Sequence, residues 1–278
     1  MFKTNQQANL TTRNRRDSKE IKKSLLFGNQ MEARNEHQTT KRFNTLFYTT
    51  TILGVTIFVV MLIWVFAFRG GLSGRSHPDL EFNWHPLLMF FGMILLYSQD
   101  YYFSAILLYR SRRYDTKRRL KLAHAGVHFS IIFLTIFGLI TAFDSHNLAV
   151  DKPNLYTMHS WLGLTTVIAF CLQYVVGFAC FLFPGFTKDL RATLLPAHVN
   201  IGTAIFILAS FTALMGFCEK AIFSLSDKYK RFPPEGYLVN TLAMLTALFS
   251  VLTLYLVNER EYKRENVPED EIALTRNE

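Results

Sequence analysis

This 278-residue chain has little cysteine and little charge. Its three cysteines, Cys171, Cys180 and Cys218, form no C-x-x-C pair, so a disulfide framework is excluded. Charged residues make up 18% of the chain, against about 25% in a typical soluble domain. The chain is instead 50% hydrophobic and 15% aromatic, with 26 Phe. That composition excludes a disordered chain and disfavours a water-soluble globule. The formal charge of +9 would point to nucleic acid in a soluble protein, so its placement decides what it means.

The apolar residues gather in runs. Residues 46–68 carry no charge for 23 positions, enough to cross a hydrocarbon core of about 30 Å at about 1.5 Å per residue. Five comparable stretches follow, at 86–109, 124–143, 159–183, 197–217 and 237–257. The pattern predicts an all-α membrane protein with six transmembrane helices, the central four forming a bundle. Residues 1–45 read as a basic, disordered tail, 46–258 as the transmembrane domain and 259–278 as a charged tail. The long polar tail, with no small-residue cleavage site after it, argues against a removed signal peptide.

Lys and Arg placement sets the orientation. Ten lie in the N-terminal tail and seven in the 110–121 connection, whereas the three connections on the opposite side hold seven together. Both termini are therefore expected in the cytosol. The positive charge is then a topology signal, and no nucleic-acid partner is implied.

Four of the eight histidines stand near the starts of four consecutive spans: His85, His124, His159 and His198. Ionisable groups at membrane depth are costly and mark function. Topology places His85 and His159 in the outer leaflet and His124 and His198 in the inner one. Both pairs are separated by the same 74 positions. Two facing imidazoles without a nearby carboxylate or thiolate suit the axial positions of a b-type haem, whereas zinc would want further ligands. Without a C-x-x-C-H, such haems are not covalently attached. Two haems so placed would stand roughly 20 Å apart along the membrane normal.

The motifs FNWHP, KLAHAG, FDSHN, NLYTMHSWLGLTT, LRATLLPAHV and FPPEG resemble those of the cytochrome b561 family of ascorbate-dependent transmembrane oxidoreductases, most closely its animal branch. The resemblance covers about 46–258. It implies a homodimer with two haems b per chain, held by His85 with His159 and by His124 with His198.

Lys117, Lys121, His124 and His128 share one helical face, with Arg191 seven positions before His198. This basic patch suits a small anion, membrane anchoring or haem propionates. The resemblance assigns Lys117, Lys121 and Arg191 to cytosolic ascorbate. His128 reads as a packing residue or a support to the ligands rather than a ligand itself. On the other side, His146 stands in a short connection, suited to a metal, a proton or plain solvation. The resemblance makes Phe143, His146, Asn147 and Tyr156 the lining of the acceptor site, the acceptor being monodehydroascorbate or a ferric chelate. Ser145 stands where some relatives carry an aromatic residue. The second span is longer than the family pattern and places Gln99 and Asp100 at membrane depth, Asp100 being read either as an interior proton carrier or as the mark of a helical bulge that absorbs the extra turn. Pro196 is expected to distort its turn. The rival readings are a haem-free, histidine-lined metal or proton transporter and a scaffold whose basic tail binds anionic lipid. Plasma membrane, lysosome and secretory vesicle are equally open.

Overall fold

The computed structural model describes residues 2–98, 117–149 and 152–262. The chain divides into two units, Met1–Thr45 and Leu46–Glu278. Helix α1 (Phe2–Phe68) runs through the segment read from sequence as a disordered tail. The residues there favour it: no proline precedes Pro78, and Lys, Arg, Glu and Gln are frequent, all good helix formers. Between Lys22 and Gln38 every described side chain is exposed, so local propensity rather than burial holds that part.

The described residues of the second unit are mostly helical. A single turn, α2 (Pro78–Glu81), precedes α3 (Trp84–Met89), which continues as a π-helical stretch, Phe90–Leu96. The rest of the second span lies outside the described residues, with Gln99, Asp100 and most of the 110–121 connection. Then come α4 (Lys117–Asn147), α5 (Met158–Phe181), α6 (Lys188–Leu225) and α7 (Pro234–Asn258). Helices α1, α4, α5, α6 and α7 are each long and apolar enough to cross a membrane. In hydrocarbon a helix satisfies every backbone group within its own segment, which is why apolar runs of this length take that form. Helix α6 runs through Pro196 without ending. At the start of the segment read as a charged tail, Arg260–Tyr262 form a short turn whose Tyr262 is fully buried.

The closest helix pairings are α5 with α6, α6 with α7, and α3 with α4. The core lies between them: Met61, Trp64 and Val65 of α1, Phe90 and Ile94 of the second span, Phe206 and Ala209 of α6, and Leu242 and Phe249 of α7. Outward-facing Phe133, Phe137, Val175, Met244 and Val251 are exposed, the apolar coat that lipid contact demands. The three cysteines are free thiols.

Candidate functional site

The FNWHP segment is built to fix one histidine. Asn83 is buried, and its Nδ2 donates to the Arg69 carbonyl at 3.1 Å and the Gly71 carbonyl at 2.7 Å, tying the start of α3 to the end of α1. The Trp84 indole donates to the Ser73 carbonyl at 3.1 Å. Asn83→Ala leaves both carbonyls short of a buried donor and is expected to destabilise the protein by about 2–3 kcal/mol. A thermal melt in detergent reads this as a lowered Tm; an unchanged Tm contradicts it.

His85 follows in the first turn. Its Nδ1 lies 2.9 Å from the Gly138 carbonyl on α4. On α5, Thr157 and Ser160 form a reciprocal cap at the helix start, which sets His159 in its first turn. The His159 Nδ1 lies 2.9 Å from the Thr212 carbonyl on α6. A carbonyl only accepts, so each Nδ1 carries the proton and each Nε2 keeps its lone pair for a ligand. The two rings face each other with centroids 6.1 Å apart and planes at 88°.

The second pair repeats the separation. His124 on α4 and His198 on α6 have centroids 6.2 Å apart and planes at 65°. Here a side chain supplies the support: the Gln173 amide nitrogen donates to the His198 carbonyl at 2.7 Å and lies 3.0 Å from Nδ1. His128, on the same face of α4, is buried, its ring 4.4 Å from that of His124 and in contact with Tyr97 and Phe170. It packs beside the pair.

One spacing relates the two levels. Gly138 follows His124, Gln173 follows His159 and Thr212 follows His198, each by 14 residues. At about 1.5 Å per residue the pairs stand about 21 Å apart along the helices.

Both pairs fit a haem. A metal–imidazole bond of about 2 Å on each side, plus about 1.1 Å from nitrogen to ring centre, puts the ring centres about 6.2 Å apart. Among the described residues no group of three or more His, Cys, Asp or Glu gathers. The donor set suits the bis-imidazole of a haem better than the fuller set that a tetrahedral metal takes. Two glycines make room for the rings: a Cβ at Gly216 would lie 2.8 Å from His159 Cε1, and one at Gly177 would lie 2.8 Å from His198 Cε1.

At the His124/His198 level, Lys121 Nζ donates to the Phe181 carbonyl at 3.2 Å, and the Phe181 ring lies 5.1 Å from that of His198. Lys121 and Arg191 are half-buried. The backbone of Lys117 begins α4; its side chain lies outside the described residues.

At the His85/His159 level, His146 stacks on Phe82, with centroids 6.1 Å apart and planes at 5°, and Phe82 lies 5.6 Å from His85. Asn147 Oδ1 accepts from Asn154 at 2.6 Å, and Tyr156 stacks with Phe223 at 6.4 Å. Phe143 is half-buried. No described contact joins Phe143, Asn147 or Tyr156 to His146. Ser145 is buried and donates to the Ala142 carbonyl at 2.8 Å, so it offers no stacking face; Phe82 provides the aromatic surface against His146 instead. Sequence reasoning missed Phe82, although its position three residues before His85 was a signal.

Ion pairs ring this level. Lys152 beside Asp79, at 2.6 Å, holds that carboxyl below its ordinary range, and Asp144 holds the Arg75 guanidinium more firmly protonated. Glu235 accepts from Arg69 at 3.2 Å and from the Trp64 indole at 2.9 Å.

The fold and the facing histidine pairs define the class: an integral membrane helical bundle with bis-imidazole sites suited to redox cofactors. Residues 84–224 match the eukaryotic cytochrome b561 family. The transmembrane ascorbate-dependent reductase CYB561 of Homo sapiens is 37% identical over 220 residues, 79% of this chain and 84% of the relative. The plasma membrane ascorbate-dependent reductase CYBRD1 of Xenopus laevis is 39% identical over 227 residues, 81% of this chain and 78% of the relative. The chain belongs to the cytochrome b561 family and is a transmembrane oxidoreductase; membership implies b-type haem.

Proposed function

We propose that this chain moves electrons one at a time from cytosolic ascorbate across the membrane to an acceptor on the other side, either a ferric chelate or the monodehydroascorbate radical. The observation that carries this reading is the pair of bis-imidazole sites, with ring separations of 6.1 and 6.2 Å and about 21 Å between levels. Two haems b per chain, when bound, supply reversible one-electron chemistry. His85 and His159 hold the outer site, His124 and His198 the inner. The Nδ1–H bonds to Gly138 and Thr212 keep the outer rings turned toward each other.

Lys117, Lys121 and Arg191 bind the ascorbate monoanion beside His124 and His198. Lys121 reaches that place through the Phe181 carbonyl. His146, with Phe143, Asn147 and Tyr156, receives the acceptor, and His146 is positioned to meet a metal or pass a proton. Both termini lie in the cytosol, following the Lys and Arg distribution, and the working unit is a homodimer in a lipid bilayer.

The test uses proteoliposomes loaded with ascorbate, with ferric-EDTA outside. The wild type should reduce external iron. Lys121→Ala should lower kcat/KM for ascorbate about tenfold, the scale of one charge-assisted hydrogen bond, with both haem spectra retained. An unchanged rate contradicts the assignment of the ascorbate site.

A further inference from the structure

Near the C-terminal end of α6, Lys220 holds its Nζ 4.1 Å from the centre of the Phe82 ring. That ring is stacked on His146 and lies against His85, so the ammonium sits where the His85/His159 level meets its outermost aromatic contact. Two carboxylates near it are engaged with other cations, Asp79 with Lys152 and Glu235 with Arg69, and that of the neighbouring Glu219 accepts from the Thr157 hydroxyl at 3.3 Å. Lys220 has no carboxylate within ion-pair distance among the described residues. Arg69 and Lys152 stand near enough to repel it, and Asp79 and Glu235, each already paired, attract it from beyond ion-pair distance. A half-buried ammonium against an aromatic face, with no carboxylate in direct contact among the described residues, is stabilised by an anion from outside.

We propose that Lys220 is a specificity-determining residue of the acceptor site, binding the negative charge of an anionic one-electron acceptor against the Phe82–His146 stack. The inference rests on the functional reading above and narrows its acceptor class to anions. The acceptor gains one electron. A ferric chelate goes from Fe(III) to Fe(II) with no bond made or broken; the ascorbate radical anion also takes one proton from the aqueous phase and becomes the monoanion.

The experiment uses ascorbate-loaded proteoliposomes of wild type, Lys220→Ala and Lys220→Arg. Outside are two acceptors of opposite charge, ferric-EDTA and hexaammineruthenium(III). In Lys220→Ala, KM for ferric-EDTA should rise about tenfold or more, while KM for the ruthenium complex stays level or falls. Lys220→Arg should largely restore the ferric-EDTA value, and the midpoint potentials of both haem centres should stay in place. If KM for both acceptors moves together, or neither moves, Lys220 serves only the fold and the inference is overturned. A shift in the midpoint of the His85/His159 centre overturns it too, because Lys220 then serves a haem propionate. A wild type that reduces neither acceptor overturns the functional reading itself, and this inference with it.

Discussion

His124→Ala should yield a protein with one haem per chain that ascorbate no longer reduces from the cytosolic side. His198 alone would remain at the inner level, 6.2 Å from a ring that is gone. A single imidazole with no opposing ligand leaves the iron half held. Losing a mere supporting contact costs about 10–100-fold in metal affinity, and losing a ligand costs more. The His85/His159 level lies about 21 Å away along the helices and should keep its haem and its spectrum. The comparison that gives the result its force is His128→Ala. That ring lies only 4.4 Å from His124 and is buried against Tyr97 and Phe170; its removal should lower stability but keep both haems. Haem-to-protein ratios of the two variants read the difference. Loss of haem in His128→Ala and its retention in His124→Ala would reverse the assignment.

The second large effect should come from a residue that holds nothing. Gly216 on α6 lies behind the His159 ring, and a Cβ there would meet Cε1 at 2.8 Å and Nδ1 at 3.1 Å. Gly216→Val cannot be absorbed by a flexible side-chain end, because the ring is held by Nδ1 bonding to Thr212 at 2.9 Å. The ring must shift, the bond lengthens, and the site loses its facing geometry. Overpacking of this kind costs about 1–3 kcal/mol in stability, but the spectral effect should be far larger: loss of the outer haem signal with the inner retained. Gly177→Val should do the mirror image, since its Cβ would lie 2.8 Å from His198 Cε1. Difference spectra of the two variants check this. Both signals lost together in either variant would mean the levels are not separately built.

The spans were legible because lipid leaves the backbone one choice, so an apolar run of about 20 residues names its own structure. The four histidines stood out because an ionisable group within such a run needs a reason, and the structure brings their rings together in two pairs. Their partners were not. Gly138 and Thr212 act through backbone carbonyls, which any residue supplies, and Gly177 and Gly216 look like ordinary packing glycines until a ring is seen beside them. Phe82 and Lys220 come from different elements, so no spacing joins them. The helicity of residues 2–45 was hidden by a composition that suits disorder as well as a helix. In the second span, the π-helical stretch Phe90–Leu96 precedes Gln99 and Asp100, the positions where the sequence suggested a bulge.

The most direct measurement is the visible spectrum of the purified protein on ascorbate addition, taken with the haem-to-chain ratio. Two haems b per chain, with split Soret and alpha bands that ascorbate reduces, is the predicted result; a colourless protein that binds zinc would contradict it.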